Sequence, residues 1–246
     1  MIILIIQARL GSTRLPNKVL KELNGVTLLK FQVERARQAK LVDKVIVATT
    51  SGSRDTELVD YCRDNGIPVF VGSENDVLSR YYECAKEDRA DIIVRLTADC
   101  PLIDPEIIDK VVDLFLKNKV DFAANTVPPE TSKFPDGSDV EVFSMAALER
   151  AQNECDDSFF REHVTFYFWK DNNGFSSVQL GHHSDYSKYR FTVDYPEDLE
   201  AVKMIVDELN KQKKFGHVDE IVKIIEDNSA IKDKNSQYYF GIGWKK

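Results

Sequence analysis

Short apolar stretches rich in β-branched residues alternate with helical patterns through the first half of this sequence. The apolar stretches, typical of strands buried on both faces, are residues 2–7, 44–50, 67–72, 91–99 and 120–125. Between them, apolar residues recur at i, i+3 and i+4, which predicts helices over 26–40, 53–66, 74–89 and 105–118. This alternation predicts an α/β fold with a mostly parallel sheet, right-handed crossovers and helices on both faces.

Helix boundary signals agree with this pattern. Asp104 is a candidate N-cap residue, because Pro105 occupies the first helical position and Glu106 places an acid in the first turn. Gly66 follows the second helical pattern and predicts its end.

The pattern changes after about residue 125. Residues 126–144 hold three of the eight prolines and predict an irregular segment that ends in a short strand over 138–143. The remaining predicted elements are helices over 145–154 and 158–171, strands with a loop over 175–194, and helices over 196–211 and 217–228. We expect a single domain over residues 1–246, with a small inserted subdomain at about 126–190.

Composition places the chain among ordinary globular proteins, with 43% hydrophobic and 30% charged residues. The first apolar run lacks a basic flank and a small-residue cleavage site, so it predicts a buried strand and not a signal peptide. No stretch approaches the roughly 18 to 20 apolar residues of a membrane span. The four cysteines, Cys62, Cys84, Cys100 and Cys155, form no CxxC pair, which favours buried, reduced thiols and a cytoplasmic location.

The charge distribution is uneven. A net charge of -8 argues against a nucleic-acid partner. Yet residues 1–21 contain no acid and four basic residues, namely Arg9, Arg14, Lys18 and Lys21. This local basic segment indicates that a small anion binds after the first strand.

The basic segment includes the loop QARLGSTRLPNK, residues 7–18. Gly11 allows a close turn, Ser12 supplies a hydroxyl and an amide, and Arg14 and Lys18 supply cations suited to a polyphosphate. The spacing is neither that of a Walker A loop nor GxGxxG. The alternative is a solvated turn with incidental basic residues.

Two aspartates end predicted strands. Asp99 ends the strand that contains Thr97, and Asp194 ends the strand-like run RFTVD. Because ligands bind at the carboxyl ends of strands in open parallel sheets, these carboxylates are candidate ligands of a hard cation such as Mg²⁺. Taken singly, each could instead be a cap or turn residue, as we expect for Asp104.

A specific family resemblance rests on five motifs that occur in order over residues 2 to about 200. They are QARLGSTRLPNK, VIVATT, GSENDVLSRY, RLTADCPLIDP and FTVDYPEDL. Together they resemble nucleotidylyltransferases of the CMP-Kdo and CMP-sialate synthetase type, and within these the spore coat polysaccharide biosynthesis protein F branch. The resemblance implies a Rossmann-like nucleotide-diphospho-sugar transferase fold, CTP as substrate, Mg²⁺ as cofactor, and a homodimer.

The same resemblance implies roles for individual residues. The residues implied to bind the nucleotide are Ala8, Arg9, Leu10, Gly11, Ser12, Lys18, Thr49, Arg80, Thr97 and Asp99. Arg14, Lys18 and Asp99 are implied to be catalytic, and Asp99 and Asp194 to bind the metal. Where sugar-acid synthetases of this type show QGDxP, this chain has LTADCP, so the residues around Asp99 leave the acceptor open.

The predicted activity is transfer of CMP from CTP to a sugar acid or related small acceptor, with release of pyrophosphate, in cell-surface or spore-coat polysaccharide biosynthesis. One alternative is a GT-A glycosyltransferase, although Asp99 and Asp104 do not form the DxD pair usual in such enzymes. The other alternative is a non-catalytic nucleotide-binding subunit.

The histidines and the aromatic C-terminal residues have simpler interpretations. His182 and His183 predict an exposed polar loop, because no third ligand stands at a diagnostic metal-site spacing. His163 is expected to be a packed helix residue, and a role in proton transfer is left open. The aromatic cluster Tyr238, Tyr239, Phe240 and Trp244 is expected to dock onto the domain or a partner subunit.

Overall fold

The computed structural model describes residues 1–170 and 173–238. Its strands are β1 Ile2–Gln7, β2 Glu22–Leu23, β3 Val26–Thr27, β4 Lys44–Thr50, β5 Val69–Gly72, β6 Ile92–Thr97, β7 Phe122–Ala124, β8 Glu141–Ser144 and β9 Ser177–Gln179. Seven of these form one sheet in the order β5-β4-β1-β6-β8-β7-β9, and β2 and β3 form a separate hairpin.

The helices are α1 Leu28–Ala36, α2 Thr56–Asp64, α3 Val77–Glu87, α4 Pro105–Asn118, α5 Met145–Glu154, α6 Ser158–His163, α7 Phe166–Trp169, α8 Pro196–Gln212, α9 Val218–Asp227 and α10 Ser229–Lys232. Two 3-10 helices cover Lys18–Leu20 and Ser53–Asp55. Asp104 caps α4 by accepting a hydrogen bond from the Glu106 amide at 2.9 Å, as the sequence predicts. No helix in the described ranges is both long and apolar enough to cross a bilayer.

The sheet is mostly parallel, as predicted. β1 pairs in parallel with β4 and β6, β4 with β5, and β7 with β9. Among the described strands of this sheet, only β8 runs antiparallel to its two neighbours, β6 and β7. Because Gln7 lies opposite both Ala48 and Thr97, the carboxyl ends of β1, β4 and β6 meet at one edge.

The apolar core lies on both faces of the sheet, because alternate strand residues point to opposite sides. Leu4 and Ile6 of β1 pack with α1, α2 and α4 on one face. Ile3 and Ile5 pack with α3 and α5 on the other. A third cluster is built from α8 and α9. All four cysteines are buried and unpaired, which agrees with the predicted reduced thiols.

The first half of the chain follows the predicted pattern more closely than the second. The bounds of β1, β4 and α4 agree with prediction, and Gly66, with φ of 63°, follows α2. The single helix predicted over 158–171 is wrong, because Val164 takes φ of 47° and separates α6 from α7. In the predicted strand region 175–194, the structure has β9 and an isolated bridge between Asp136 and Arg190.

Two strands of the predicted insertion, β8 and β9, lie in the main sheet. The division of residues 1–246 into one domain with an insertion stays a prediction.

Gly137 lies where its own loop contacts residues 191–192, which are far away in the sequence. It has φ of 100°, and an added Cβ would clash with the Thr192 amide nitrogen and lie 2.6 Å from the Phe191 carbonyl carbon. Gly25 also has a positive φ, 82°, but an added Cβ there would meet nothing within 4 Å. Both positions would strain an alanine, but only Gly137 lacks space for it.

We therefore expect Gly137→Ala to lower the free energy of unfolding by about 2 kcal/mol or more, since it adds a steric clash to backbone strain. Gly25→Ala is the matched control and should cost about 1 kcal/mol from strain alone. Urea denaturation of both variants measures the difference. Equal losses would show that the contact between residue 137 and residues 191–192 does not limit stability.

Candidate active site

A cavity of about 440 Å³ opens at the carboxyl edge of β1 and β6. The structure places most of the predicted site residues in its lining, namely Ala8, Arg9, Gly11, Ser12, Arg14, Lys18, Thr97, Asp99 and Asp194. Loops from three distant parts of the chain therefore meet at one cavity, where ligands bind in open α/β sheets.

Hydrogen bonds fix the loop after β1. The Leu10 amide donates to Asp55 Oδ1 at 2.7 Å, and the Leu10 side chain packs into the core. The Ser12 amide donates to the Leu10 carbonyl at 2.9 Å, and Ser12 Oγ accepts from the Leu15 amide at 3.3 Å. Asn17, with φ of 54°, turns the chain into the 3-10 helix that begins at Lys18. The backbone thus holds the basic side chains at the cavity.

Lys18 lies between the two predicted metal-binding aspartates. Its Nζ donates to Asp99 Oδ2 at 3.0 Å and to Asp194 Oδ1 at 2.8 Å. Burial alone would lower the pKa of this ammonium group, but the two carboxylates raise it above its usual value. Lys18 therefore holds a fixed positive charge in the cavity.

Arg14 supplies a second cation. Its Nη2 lies 2.8 Å from Asp194 Oδ1, and its guanidinium group lies 5.1 Å from the ring centroid of Tyr195. Tyr195 stacks on Tyr238, with ring centroids 4.0 Å apart. Tyr238 of the C-terminal aromatic cluster thus packs onto the domain, while Tyr239, Phe240 and Trp244 lie outside the described residues.

A buried network supports Asp194. The Asp194 and Tyr195 amides both donate to Asp198 Oδ2 at 3.0 Å. Arg190 donates to both carboxylate oxygens of Asp198 at 3.0 Å and to Asp194 Oδ2 at 3.3 Å. Asn235 Nδ2 donates to Asp198 Oδ1 at 2.9 Å. This network sets the direction of the Asp194 carboxylate, because Asp198 is fully buried and holds the backbone at residue 194.

Asp99 is fixed from the other side. Its carbonyl accepts from the Val193 amide at 2.7 Å and from Thr192 Oγ1 at 3.1 Å. Burial acts to raise the pKa of Asp99, but the Lys18 ammonium group and hydrogen bonds lower it to about 2. Asp99 is therefore an ionised ligand candidate at neutral pH.

Several cavity residues were not predicted from the sequence, and four of them are acidic: Asp136, Asp139, Glu141 and Glu162. Arg190 Nη1 donates to Asp136. Asp139 accepts from Thr126 Oγ1 at 2.7 Å and from the Gly137 amide at 2.9 Å. Burial raises the pKa of Asp139 to about 6 and, with the nearby charge of Asp139, raises that of Asp136 well above its usual value. The cavity thus has a second group of acids beside Asp99 and Asp194.

A second unpredicted pair, Arg95 and Glu141, also lines the cavity. Arg95 Nη1 donates to Glu141, which also accepts from Thr165 Oγ1 at 2.7 Å. His163 and Phe166 complete this side, so His163 faces the cavity as well as packing against Phe166. The sequence signal for this pair is a charged residue within each of two otherwise largely apolar runs, Arg95 in IIVRLT and Glu141 in VEVF.

Thr49 and Arg80 lie outside the cavity lining. Both are buried, and Arg80 Nη1 donates to the Ser73 carbonyl at 3.0 Å. Thr49 Oγ1 and Arg80 Nε have no hydrogen-bond partner among the described residues. The predicted contacts of Thr49, Arg80 and Leu10 with the nucleotide stay predictions.

A family model described as cytidylyltransferase matches residues 3–236 of the chain. Spore coat polysaccharide biosynthesis protein SpsF of Bacillus subtilis is 33% identical over 211 residues, which are 83% of this chain and 85% of SpsF. A solved cytidylyltransferase of Leptospira borgpetersenii is 37% identical with a TM-score of 0.86, over 94% of this chain and 95% of that chain.

A more distant solved structure is that of CMP:2-keto-3-deoxy-manno-octonic acid synthetase complexed with CTP. It is 19% identical with a TM-score of 0.65, over 84% of this chain and 98% of that chain, so it shows a shared fold. The predicted Rossmann-like fold and the predicted family resemblance are confirmed. From the family match over residues 3–236 and the identity to SpsF along most of both chains, it follows that this chain belongs to the cytidylyltransferase family.

Proposed function

We propose that this protein transfers CMP from CTP to a sugar acid or related small acceptor and releases pyrophosphate. The observation that carries the proposal is the charge cluster of Arg14, Lys18, Asp99 and Asp194, which lies at the carboxyl ends of β1 and β6. Two fixed cations suit a triphosphate, and two convergent carboxylates suit the divalent cation that accompanies it. Membership of the cytidylyltransferase family supports CTP as the donor.

The loop after β1 binds the triphosphate in this mechanism. The side chains of Arg14 and Lys18 would contact the phosphate oxygens, since both cations line the cavity. When the acceptor oxygen attacks the α-phosphorus in line, Lys18 and Arg14 stabilise the negative charge that develops on the leaving pyrophosphate. Positioning and electrostatic stabilisation supply most of the catalysis in such transfers, so no protein nucleophile is required.

Asp99 and Asp194 fit Mg²⁺. Both carboxylates point at one cation, the Lys18 ammonium group, so the fold already directs two oxygen ligands to a shared positive charge. Bound there, Mg²⁺ would neutralise charge on the phosphate oxygens. Arg190 and Asp198 would keep Asp194 in place, because they hold its carboxylate and its backbone amide.

The acceptor is proposed to lie beside Asp136, Asp139, Glu141 and His163, which line the same cavity. In support of a polysaccharide pathway, the relative SpsF is named for spore coat polysaccharide biosynthesis. The neighbouring synthetase structure is named for a complex with CTP, which supports the donor. Mg²⁺, the homodimer and the cytoplasmic location stay predictions.

A pyrophosphate-release assay tests the proposed function. Four nucleoside triphosphates are each combined with sugar acids and with sugar or polyol phosphates at varied magnesium concentrations. We expect release with CTP and at least one acceptor. Turnover of a nucleotide sugar without pyrophosphate release would instead support a glycosyltransferase, and tight CTP binding without turnover of any acceptor would support a non-catalytic subunit.

Lys18→Ala should lower the rate of pyrophosphate release about 10²- to 10³-fold, the usual effect of removing one preorganised charge. Lys21→Ala is the control, because Lys21 belongs to the same basic segment but does not line the cavity. Circular dichroism first establishes that both variants are folded. Wild-type turnover by folded Lys18→Ala would remove Lys18 from the mechanism.

Asp99→Asn should raise the magnesium concentration needed for half-maximal activity about tenfold or more, because an amide is a weaker ligand of a hard cation than a carboxylate. Asp113→Asn, on the exposed surface of α4, serves as the control with the same chemical change. Magnesium titrations of pyrophosphate release compare the two. An unchanged titration for Asp99→Asn would contradict its assignment as a metal ligand.

A further inference from the structure

A second cluster of possible metal ligands lies apart from the cavity. His182 and His183 follow β9 in a loop, and their ring centroids are 4.3 Å apart. Their Nε2 atoms lie 3.9 Å and 3.7 Å from Asp219 Oδ1, in the first turn of α9. One donor atom from each residue lies within 4.8 Å of the other two. None of the three residues lines the candidate active site.

The surroundings of His182 hold its ring toward this cluster. The ring packs between Phe134 and Tyr186, each with a centroid distance of 4.9 Å, and the side chain is only 9% exposed. His182 Nδ1 lies 3.0 Å from the Ser184 carbonyl and 3.3 Å from the Ser184 amide nitrogen, so it can donate to the carbonyl or accept from the amide. In the tautomer that uses the shorter contact, Nδ1 donates to the carbonyl and Nε2 is left as the metal donor beside Asp219, an arrangement typical of histidine ligands.

Asp219 is not needed to complete the start of α9. Glu220 already fills that role, because its carboxylate accepts from the Gly216 amide at 3.0 Å and the His217 amide at 3.2 Å. Asp219 and His183 are 56% and 68% exposed, so an ion from solvent can reach both.

We propose that His182, His183 and Asp219 bind one divalent transition-metal ion, of which Zn²⁺ is the main candidate. Zinc holds nitrogen and carboxylate ligands at about 2.0 to 2.2 Å, so donor atoms around a tetrahedral ion lie roughly 3.4 Å apart. The histidine–aspartate distances need to shorten by only a few tenths of an ångström to match this geometry. Two imidazoles and one carboxylate suit Zn²⁺ better than Mg²⁺, and water completes the coordination.

The bound ion would link the loop after β9 to α9 through these three ligands. The same loop leads to Arg190, which holds Asp194 and Asp198 beside the active site. Because a ligand that binds only the folded chain stabilises it, zinc is expected to raise the melting temperature. The site adds stability near a loop that supports the cavity, and its ion is separate from the cation proposed at Asp99 and Asp194.

Calorimetric titration of the full-length protein with ZnCl₂ tests this site. Excess Mg²⁺ is present to occupy the carboxylates of the active site. The wild type and the control Asp227→Asn, an exposed acid at the far end of α9, should each show one zinc-binding event and a rise in melting temperature. His183→Asn and Asp219→Asn should each bind zinc about tenfold or more weakly, and lose the thermal shift.

Two results would overturn the proposal. One is no zinc binding by the wild type, and the other is wild-type affinity in both His183→Asn and Asp219→Asn. Pyrophosphate release by His183→Asn in magnesium without zinc should equal that of the wild type. Failure of the zinc proposal can therefore be distinguished from failure of the proposed function, because zinc binding is measured whether or not the acceptor is identified.

Discussion

The sharing of the Lys18 ammonium group by Asp99 and Asp194 is the interaction on which the arrangement of the cavity depends. The two contacts join residues 81 and 176 positions apart in the sequence. A largely buried charge without a partner is costly, so Lys18 requires both carboxylates in place, while Asp194 is also paired with Arg14 and Arg190. The loop after β1, the end of β6 and the segment before α8 therefore form one site only in the complete fold.

This balance is consistent with the proposed binding of a polyphosphate by a protein of net charge -8. The cations of the cavity are held against carboxylates. The Thr192 hydroxyl and the Val193 amide donate to the Asp99 carbonyl and keep the end of β6 beside the segment before α8. We infer that an incoming triphosphate draws Arg14 and Lys18 toward its oxygens. Asp99 and Asp194 would then be free to hold a divalent cation, so the same ion pairs prepare both halves of the binding site.

Elements dominated by local signals could be predicted from the sequence. α4 has the predicted bounds because Asp104, Pro105 and Glu106 mark its start and apolar spacing marks its length. β1 and β4 agree because a strand buried on both faces needs a continuous apolar run. In contrast, β9 has only three residues and obtains its hydrogen bonds from β7, more than fifty positions earlier, so no local pattern marks its bounds. The break at Val164 likewise has no signal in the apolar spacing of 158–171.

The site residues likewise divide into those that local sequence signals predict and those that depend on long-range contacts. Arg14, Lys18 and Asp99 could be placed at the cavity because they follow β1 and β6, whose carboxyl ends meet at one edge. Asp194 follows no strand in the structure, and its place at the cavity is implied by the motif FTVDYPEDL. Asp136 and Asp139 reach that edge through an irregular segment whose path depends on contacts with residues 189–192. Asp219 lies 36 positions after His183, on a helix whose placement depends on packing against α8, so no sequence spacing can identify it as a third ligand. Functional residues at strand ends can therefore be predicted from a single sequence. Functional residues that packing brings together can be identified only in the folded structure.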